Sequence, residues 1–192
     1  MYTSENNSWL FEFPSLPKGR FNSVCFVYRD SLYVFGGTDN SSNMNEIVRY
    51  DLSTQNSGEW TTIAKVNEAN QRGGVAFVVE DKVYAGLGEK SSGIRNGFYV
   101  SSDSLTKWEP IPSIPAQLGV ISSGVYDEQK KSFFMIDNDG KIWEYNLTTA
   151  QWTSRSLWIR MKNYHMFMLD GSIYILGQDI YQKNKFTVYN PI

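Results

Sequence analysis

The sequence predicts an all-β protein, on the evidence of its composition, its lack of helical patterning and a fourfold repeat. Aromatic residues, which favour strands, make up 15% of the 192 residues. Apolar residues do not recur with the 3.6-residue period of a helix, and glycine and proline interrupt the chain often. The chain is divided into four units of similar length by Trp9, Trp60, Trp108 and Trp152, which are spaced 51, 48 and 44 residues apart.

Each unit carries signals for four short strands. An apolar run, a short polar turn and a second apolar run come first, which is typical of a hairpin. The predicted first strands are 24–28, 75–79, 121–126 and 165–169, and the second strands are 32–35, 83–85, 132–136 and 173–176. A third strand ends at a tyrosine in three units, at Tyr50, Tyr145 and Tyr189. The fourth strand begins at the dividing tryptophan.

Four short strands that recur at this spacing are the signature of a β-propeller blade. A single sheet of this size would be apolar on both faces, and stacking blades around an axis buries both of them. We therefore expect one domain over residues 1–192, with repeats at about 14–60, 61–108, 109–152 and 153–192. The strand 9–13 is expected to pair with the last strand of the chain and complete the fourth blade, because closure removes exposed sheet edges.

The strand ends resemble kelch repeats, which place Gly-Gly after the second strand, Tyr-Asp at the end of the third and Trp in the fourth. The first unit matches with Gly36-Gly37, Tyr50-Asp51 and Trp60. The other units depart from this pattern; the third has Asp137 where the glycines belong. The resemblance implies a kelch-like propeller of four four-stranded modules, similar to the central domain of galactose oxidase. It leaves open a small closed ring or part of a six- or seven-bladed one.

A second resemblance lies in the third-to-fourth strand turn of unit two, residues 101–108. This turn is similar to the Asp-box of sialidase-like propellers, although Leu105 stands in place of the expected glycine. In those families the turn braces the two strands and performs no chemistry.

Charge and residue counts exclude several function classes. Lys and Arg number 18 and Asp and Glu 20, a balance that argues against nucleic acid or an anionic membrane surface as a partner. The single cysteine, Cys25, excludes an internal disulfide, and with the single histidine, His165, it predicts no metal and no cofactor. Both are expected to be buried or to lie between blades. The galactose oxidase copper centre needs two histidines and is therefore excluded.

Targeting and membrane signals are not evident. The first 20 residues lack the basic and apolar regions of a signal peptide, and no apolar run reaches the ~18 residues that a membrane span needs. We expect no membrane insertion. Two localisations stay open: the cytoplasm, or an extracellular or periplasmic location after removal of a leader.

The predicted ligand face consists of the loops between second and third strands and those between successive units. Its candidate residues are Arg20, Arg72, Arg160, Gln117, Trp158, Asp39, Arg95, Asp179 and Tyr181. The three arginines appear at equivalent positions before first strands and are expected to converge near the axis. Such guanidinium groups either bind a carboxylate or brace their loops against carbonyl and carboxylate oxygens. Repetition favours bracing.

These observations favour a non-catalytic binding platform for a protein or a glycan over an enzyme. No pair of carboxylates stands out as a general acid and base, because most lie in hairpin turns that explain them. The alternative is a sugar-acid isomerase or mutarotase resembling the kelch-type sialic acid mutarotase. In that case Arg20, Arg72 and Glu89 would act over the central channel.

Overall fold

The computed structural model is almost entirely β-structure. It describes residues 2–3, 5, 7–9, 14–54, 58–67, 71–90, 92–94, 96–102, 104–115, 123–137, 140–155, 161–179 and 181–191. The helical element of three residues at Leu52–Thr54 is a single 3-10 turn. Within these ranges no helix has the length and apolarity needed to cross a membrane.

The strands form an N-terminal hairpin and four antiparallel blades. The hairpin pairs β1 (Tyr2–Thr3) with β2 (Ser8–Trp9). Blade I contains β3 (Val24–Tyr28), β4 (Ser31–Phe35), β5 (Glu46–Asp51) and β6 (Thr61–Lys65). Blade II contains β7 (Val75–Val79) and β8 (Lys82–Gly86), then the small hairpin of β9 (Glu89–Lys90) and β10 (Gly93–Ile94), then β11 (Phe98–Ser102) and β12 (Glu109–Ile111).

Blades III and IV follow the same meander. Blade III contains β13 (Gly124–Asp127), β14 (Ser132–Ile136), β15 (Ile142–Asn146) and β16 (Gln151–Arg155). Blade IV contains β17 (Met161–Leu169), β18 (Ser172–Asp179) and β19 (Asn184–Tyr189). Each main strand pairs with its neighbours in chain order. The prediction of an all-β propeller built from four blades is confirmed, although the described part of blade IV has three strands rather than four.

The first strands of successive blades contact one another, β3 with β7, β7 with β13 and β13 with β17. They therefore lie nearest the common axis of the propeller. Three clusters of buried side chains fill the spaces between blades I and II, II and III, and III and IV. Burial of both faces is what makes sheets of this size stable.

Aromatic side chains dominate these contacts. Between blades II and III, Phe77 stacks on Phe133 with ring centroids 4.4 Å apart. Between blades III and IV, the hydroxyl of Tyr164 donates to the carbonyl of Ile136, and burial raises the pKa of Tyr164. A buried hydroxyl needs such a partner, so this bond fixes how blade IV lies on blade III.

The predicted closing strand is not seen at Trp9. That residue pairs with Tyr2 in the N-terminal hairpin, and β19 pairs with β18. Residues 10–13, the rest of the predicted strand, lie outside the described residues.

Two of the dividing tryptophans tie an outer strand to the segment that leads into the same blade. The indole of Trp60 donates to the carbonyl of Pro14 over 2.9 Å, and that of Trp152 donates to Pro112 over 2.6 Å. Trp108 donates instead to Leu105, 3.1 Å away in its own turn. Trp60 and Trp152 thus share one structural position, and Trp108 departs from it.

Candidate functional site

The segments that lead into blades I and II have a common backbone register. Phe21 forms an isolated antiparallel bridge with Thr38, and Arg72 forms the corresponding bridge with Glu89. Phe21 and Arg72 each lie three residues before the first strand of their blade. Arg72 is therefore equivalent to Phe21, not to Arg20. The prediction that Arg20 and Arg72 occupy equivalent positions is wrong by one residue.

Arg20 is a buried brace. Its side chain is 0% exposed and donates to the carbonyl of Gly36 over 3.2 Å, to the carboxylate of Glu46 over 3.1 Å and to the carbonyl of Lys18 over 3.4 Å. These contacts hold the lead-in segment against the start of β5. The guanidinium has no surface left for a ligand, so Arg20 serves the fold of blade I.

Gln71 takes the place of Arg20 in blade II. Its side chain is buried as well. Its backbone carbonyl accepts the backbone N–H of Gly37 in blade I over 2.8 Å. Among the described residues, its side-chain nitrogen and the hydroxyl of Ser23 have no hydrogen-bond partner. The sequence analysis did not single out Gln71. Its position could have been recognised because Gln71 precedes Val75 by the same number of residues as Arg20 precedes Val24.

Arg72 faces a cleft instead. Its guanidinium donates twice to one carboxylate oxygen of Glu89, over 2.9 Å and 2.8 Å, and its side chain stays 44% exposed. The cleft has a volume of about 260 Å³ and lies between the loops of blades I and II that join their second and third strands. It is lined by Thr38, Asn40, Ser41, Ser42, Asn43, Arg72, Glu89 and Lys90.

Hydrogen bonds within the loops fix the walls of this cleft. Asp39 accepts the backbone N–H of Ser41 and of Ser42, each over 3.0 Å, and pairs with Lys18 at 2.6 Å. The Lys18 and Ser41 side chains and the two backbone N–H groups hold the pKa of Asp39 well below its usual range. Asn43 donates to the carbonyl of Glu89 over 3.0 Å, which joins the two blades.

Glycines let the lead-in segments approach these loops closely. Gly37 and Gly88 have φ angles of +94° and +84°. A Cβ on Gly37 would lie 2.4 Å from the hydroxyl of Ser23, and one on Gly88 would lie 2.7 Å from the carbonyl of Arg72. The side of the cleft formed by the lead-in segments therefore depends on glycine at both positions.

Asp179 and Tyr181, two further predicted site residues, do not line the cleft. Asp179, in blade IV, accepts the backbone N–H of Tyr181 over 2.8 Å and that of Lys183 over 2.9 Å, which makes it a turn residue. Tyr181 is exposed on the same turn. The other four candidates lie outside the described residues: Arg160, Gln117, Trp158 and Arg95.

Cys25 and His165 are both exposed, so the prediction that they are buried or lie between blades is wrong for the described structure. Cys25 lines an axial pocket of about 220 Å³, in which Ser23, Gly74 and Ser123 also take part. Partial desolvation raises the pKa of its thiol, which disfavours the nucleophilic thiolate. His165 lines a depression on the outer face of blade IV.

The cleft presents one ion pair and many hydrogen-bonding groups. Glu89, the carboxylate that lines the cleft, is held by Arg72. In the part of the chain that the structure describes, no group of three His, Cys, Asp or Glu side chains could hold a metal ion. What the cleft offers is a dense set of hydrogen-bond donors and acceptors on fixed loops.

Comparisons with known proteins agree with this architecture. The family model for the Kelch motif matches residues 19–67, which include all of blade I. No curated protein matches the chain. The solved structure of YjhT is similar, with a TM-score of 0.65 and 11% sequence identity over 92% of this chain and 67% of that one. At that identity the likeness shows the fold alone. The kelch match in the first blade, with this propeller architecture, shows that the chain is a kelch-repeat β-propeller.

Proposed function

We propose that this protein is a non-catalytic binding platform and that its ligand is a glycan held in the cleft between blades I and II. The observation that carries the proposal is the polar lining of the cleft. Hydroxyl groups, amides, one cation–carboxylate pair and a lysine face the same space. A sugar presents donors and acceptors on all sides, and such a lining can match them.

The size and rigidity of the cleft support a small ligand unit. At about 260 Å³ it lies just below the ~300–1,000 Å³ of pockets that enclose drug-sized ligands. Its walls are fixed by the Asp39 turn and by the bond from Asn43 to Glu89. Binding would therefore order few side chains, which lowers its entropic cost.

Titration calorimetry against a panel of neutral and acidic oligosaccharides tests the proposal. We expect Arg72→Gln to weaken binding by about 10-fold or more, because a hydrogen bond to a charged group contributes ~1.5–3 kcal/mol. Arg49→Gln is the matched control, since Arg49 has a similar exposure of 41% and pairs with Asp51 on β5. Equal affinity in the two variants, or no binding of any glycan, would contradict the proposal.

The sugar-acid isomerase is a second candidate, because one specific observation favours it. Arg72 and Glu89 put a cation and a carboxylate together at a cleft that a sugar acid could reach. Against it, Arg20, the third residue of that hypothesis, is buried in its own blade. NMR of anomer exchange in a sugar acid separates the two functions. An acceleration that Glu89→Gln abolishes would replace the binding platform by the enzyme.

A further inference from the structure

The side chains of Arg72 and Glu89 are held on the same side of a short piece of backbone pairing. The two residues form an isolated antiparallel bridge, in which each N–H donates to the other residue's carbonyl over 2.9 Å. Residues directly opposite each other in such a bridge project their side chains to one face. That face is the cleft, which both residues line. The backbone therefore sets where the two charged groups meet.

The two charged groups meet through a single carboxylate oxygen. Nε and Nη2 of Arg72 donate to Oε2 of Glu89 over 2.9 Å and 2.8 Å. Across the described parts of the chain, Nη1 of Arg72 and Oε1 of Glu89 have no hydrogen-bond partner, and both side chains are partly exposed. A guanidinium can only donate and an ionised carboxylate can only accept. The ion pair therefore presents an unused donor and an unused acceptor to the same cleft.

Two hydroxyl groups on neighbouring ring carbons of a sugar, a vicinal diol, are suited to such a pair. Each hydroxyl can donate one hydrogen bond and can also accept. A vicinal diol can therefore bridge the two charged groups, with one hydroxyl donating to Glu89 and the next accepting from Arg72. Both bonds would involve a charged group, and bonds of that kind are stronger than those between neutral groups.

The charges of the cleft favour a neutral sugar over a sugar acid. Arg72 is paired with Glu89, and Lys90, the other cation of the lining, has an interaction of its own. A carboxylate on the ligand would have to compete with Glu89 for the guanidinium or lie beside Glu89, and like charges that close repel. A vicinal diol uses both partners of the ion pair without separating them.

We propose that the cleft binds a neutral hexopyranose through a vicinal diol, with Glu89 accepting from one hydroxyl and Arg72 donating to the next. The inference rests on the proposed glycan function and adds to it the class of sugar and the two residues that select it. Asn40 and Ser42, which line the blade I wall of the same cleft, face the remaining ring substituents.

Matched sugars test this selection by titration calorimetry with the full chain. The probes are the methyl pyranosides of glucose, galactose and mannose, and the corresponding uronic acids, in which a carboxylate replaces the hydroxymethyl group. We expect a neutral pyranoside to bind more tightly than its own uronic acid. Monodeoxy analogues of that pyranoside should bind about 10-fold more weakly at two neighbouring ring positions, because each lacks a bond to a charged group.

Two variants assign each hydroxyl to its partner. In Glu89→Gln the loss of affinity caused by one of the two deoxy positions should shrink while that of its neighbour persists, and Arg72→Gln should show the reverse. Glu89→Gln should also raise the affinity for the uronic acid, because Arg72 no longer has a carboxylate beside it. Glu109→Gln, at an exposed position of β12 in the same blade, changes the net charge equally and should keep both losses. Melting temperatures show that each variant is folded.

The possible results separate this inference from the proposed function. Tighter binding of the uronic acid by the unaltered chain would overturn the vicinal-diol site while leaving a glycan-binding cleft. Losses at the deoxy positions that neither Glu89→Gln nor Arg72→Gln alters would do the same, as would binding of acidic oligosaccharides alone. Failure of every glycan to bind would remove the proposed function itself.

Discussion

The segments that lead into blades I and II share a backbone register but reverse the roles of two neighbouring residues. In blade I the inward position holds Arg20, whose side chain is fully buried, and the outward position holds Phe21. In blade II the inward position holds Gln71 and the outward position holds Arg72. A shift of one residue thus decides whether a guanidinium is buried in the fold or faces the cleft.

The acidic partners show why each arginine takes its position. Glu46 lies at the start of β5, where it meets the inward guanidinium of Arg20. The equivalent place in blade II is Gly97, because the carbonyls of Glu46 and Gly97 accept equivalent backbone N–H groups. At this place blade II therefore has a glycine instead of a carboxylate, and Glu89 lies on the outward side.

The largest expected effect is the loss of the buried brace. Arg20→Ala leaves Glu46 partly buried without its cation and removes a donor from the partly buried carbonyl of Gly36. We expect the free energy of unfolding to fall by about 2–4 kcal/mol. Thermal denaturation should show a melting temperature lower by roughly 4–16 °C. Arg49→Ala, which removes a half-exposed pair, should change stability by less than about 1 kcal/mol and serves as the control.

Moving the arginine to the same position in blade II sharpens the comparison. Gln71→Arg reproduces the blade I residue without its carboxylate partner, so the new charge would be buried and unpaired. We expect a loss of about 1–3 kcal/mol in chemical denaturation. Adding Gly97→Glu tests whether the partner restores it, with Gly97→Ala as the control for the 2.9 Å approach of a Cβ at this position to the Tyr99 hydroxyl. A stable single variant would mean that the inward position of blade II tolerates a cation by itself.

The pH response of the cleft wall is a smaller and local effect. The fold lowers the pKa of Asp39, so the ionised carboxylate stabilises the folded loop. This stabilisation is fully present above the ordinary aspartate pKa of about 3.9 and is lost as the pH falls below that value. We expect the amide NMR signals of Ser41 and Ser42 to shift in this acidic range. Asp39→Asn should abolish that shift. The similar turn at Asp51, whose pKa is also lowered, is an internal control.

The smallest expected effect on stability is that of Arg72. Its pair with Glu89 is half-exposed, and exposed ion pairs contribute about 0–1 kcal/mol. Arg72→Ala should therefore leave the melting temperature nearly unchanged while Arg20→Ala lowers it. A loss as large as that of Arg20→Ala would show that both arginines brace the fold and would remove Arg72 from the proposed ligand site.

Much of the fold could be predicted from strand patterning, because each blade repeats one set of local signals. The tryptophan spacing marks the outer strands, and Trp60 and Trp152 make equivalent bonds. The register of the lead-in segments could not be predicted, because it depends on which loop residue bridges back to them. An alignment of arginine with arginine treats Arg20 and Arg72 as equivalent. The backbone bridges to Thr38 and Glu89 show instead that Arg72 is equivalent to Phe21.

Side-chain burial was also beyond what patterning can decide. Alternation along β17 shows that His165 lies on the opposite face from Tyr164 and Met166, but not which face meets another blade. Leu105 is the converse case. It has a φ of +57°, where glycine is expected, yet its side chain is buried between blades I and II. Packing there offsets the backbone strain, which local sequence rules do not weigh.

The bond from Asn43 to the carbonyl of Glu89 has a consequence for how a ligand would act on the whole domain. Since the cleft has one wall on each of two blades, it exists only while those blades are seated against each other. A bound sugar would then contact both blades and hold them together at their interface. Hydrogen exchange in both blades should slow together on binding, because blades I and II could separate only after the ligand had been released.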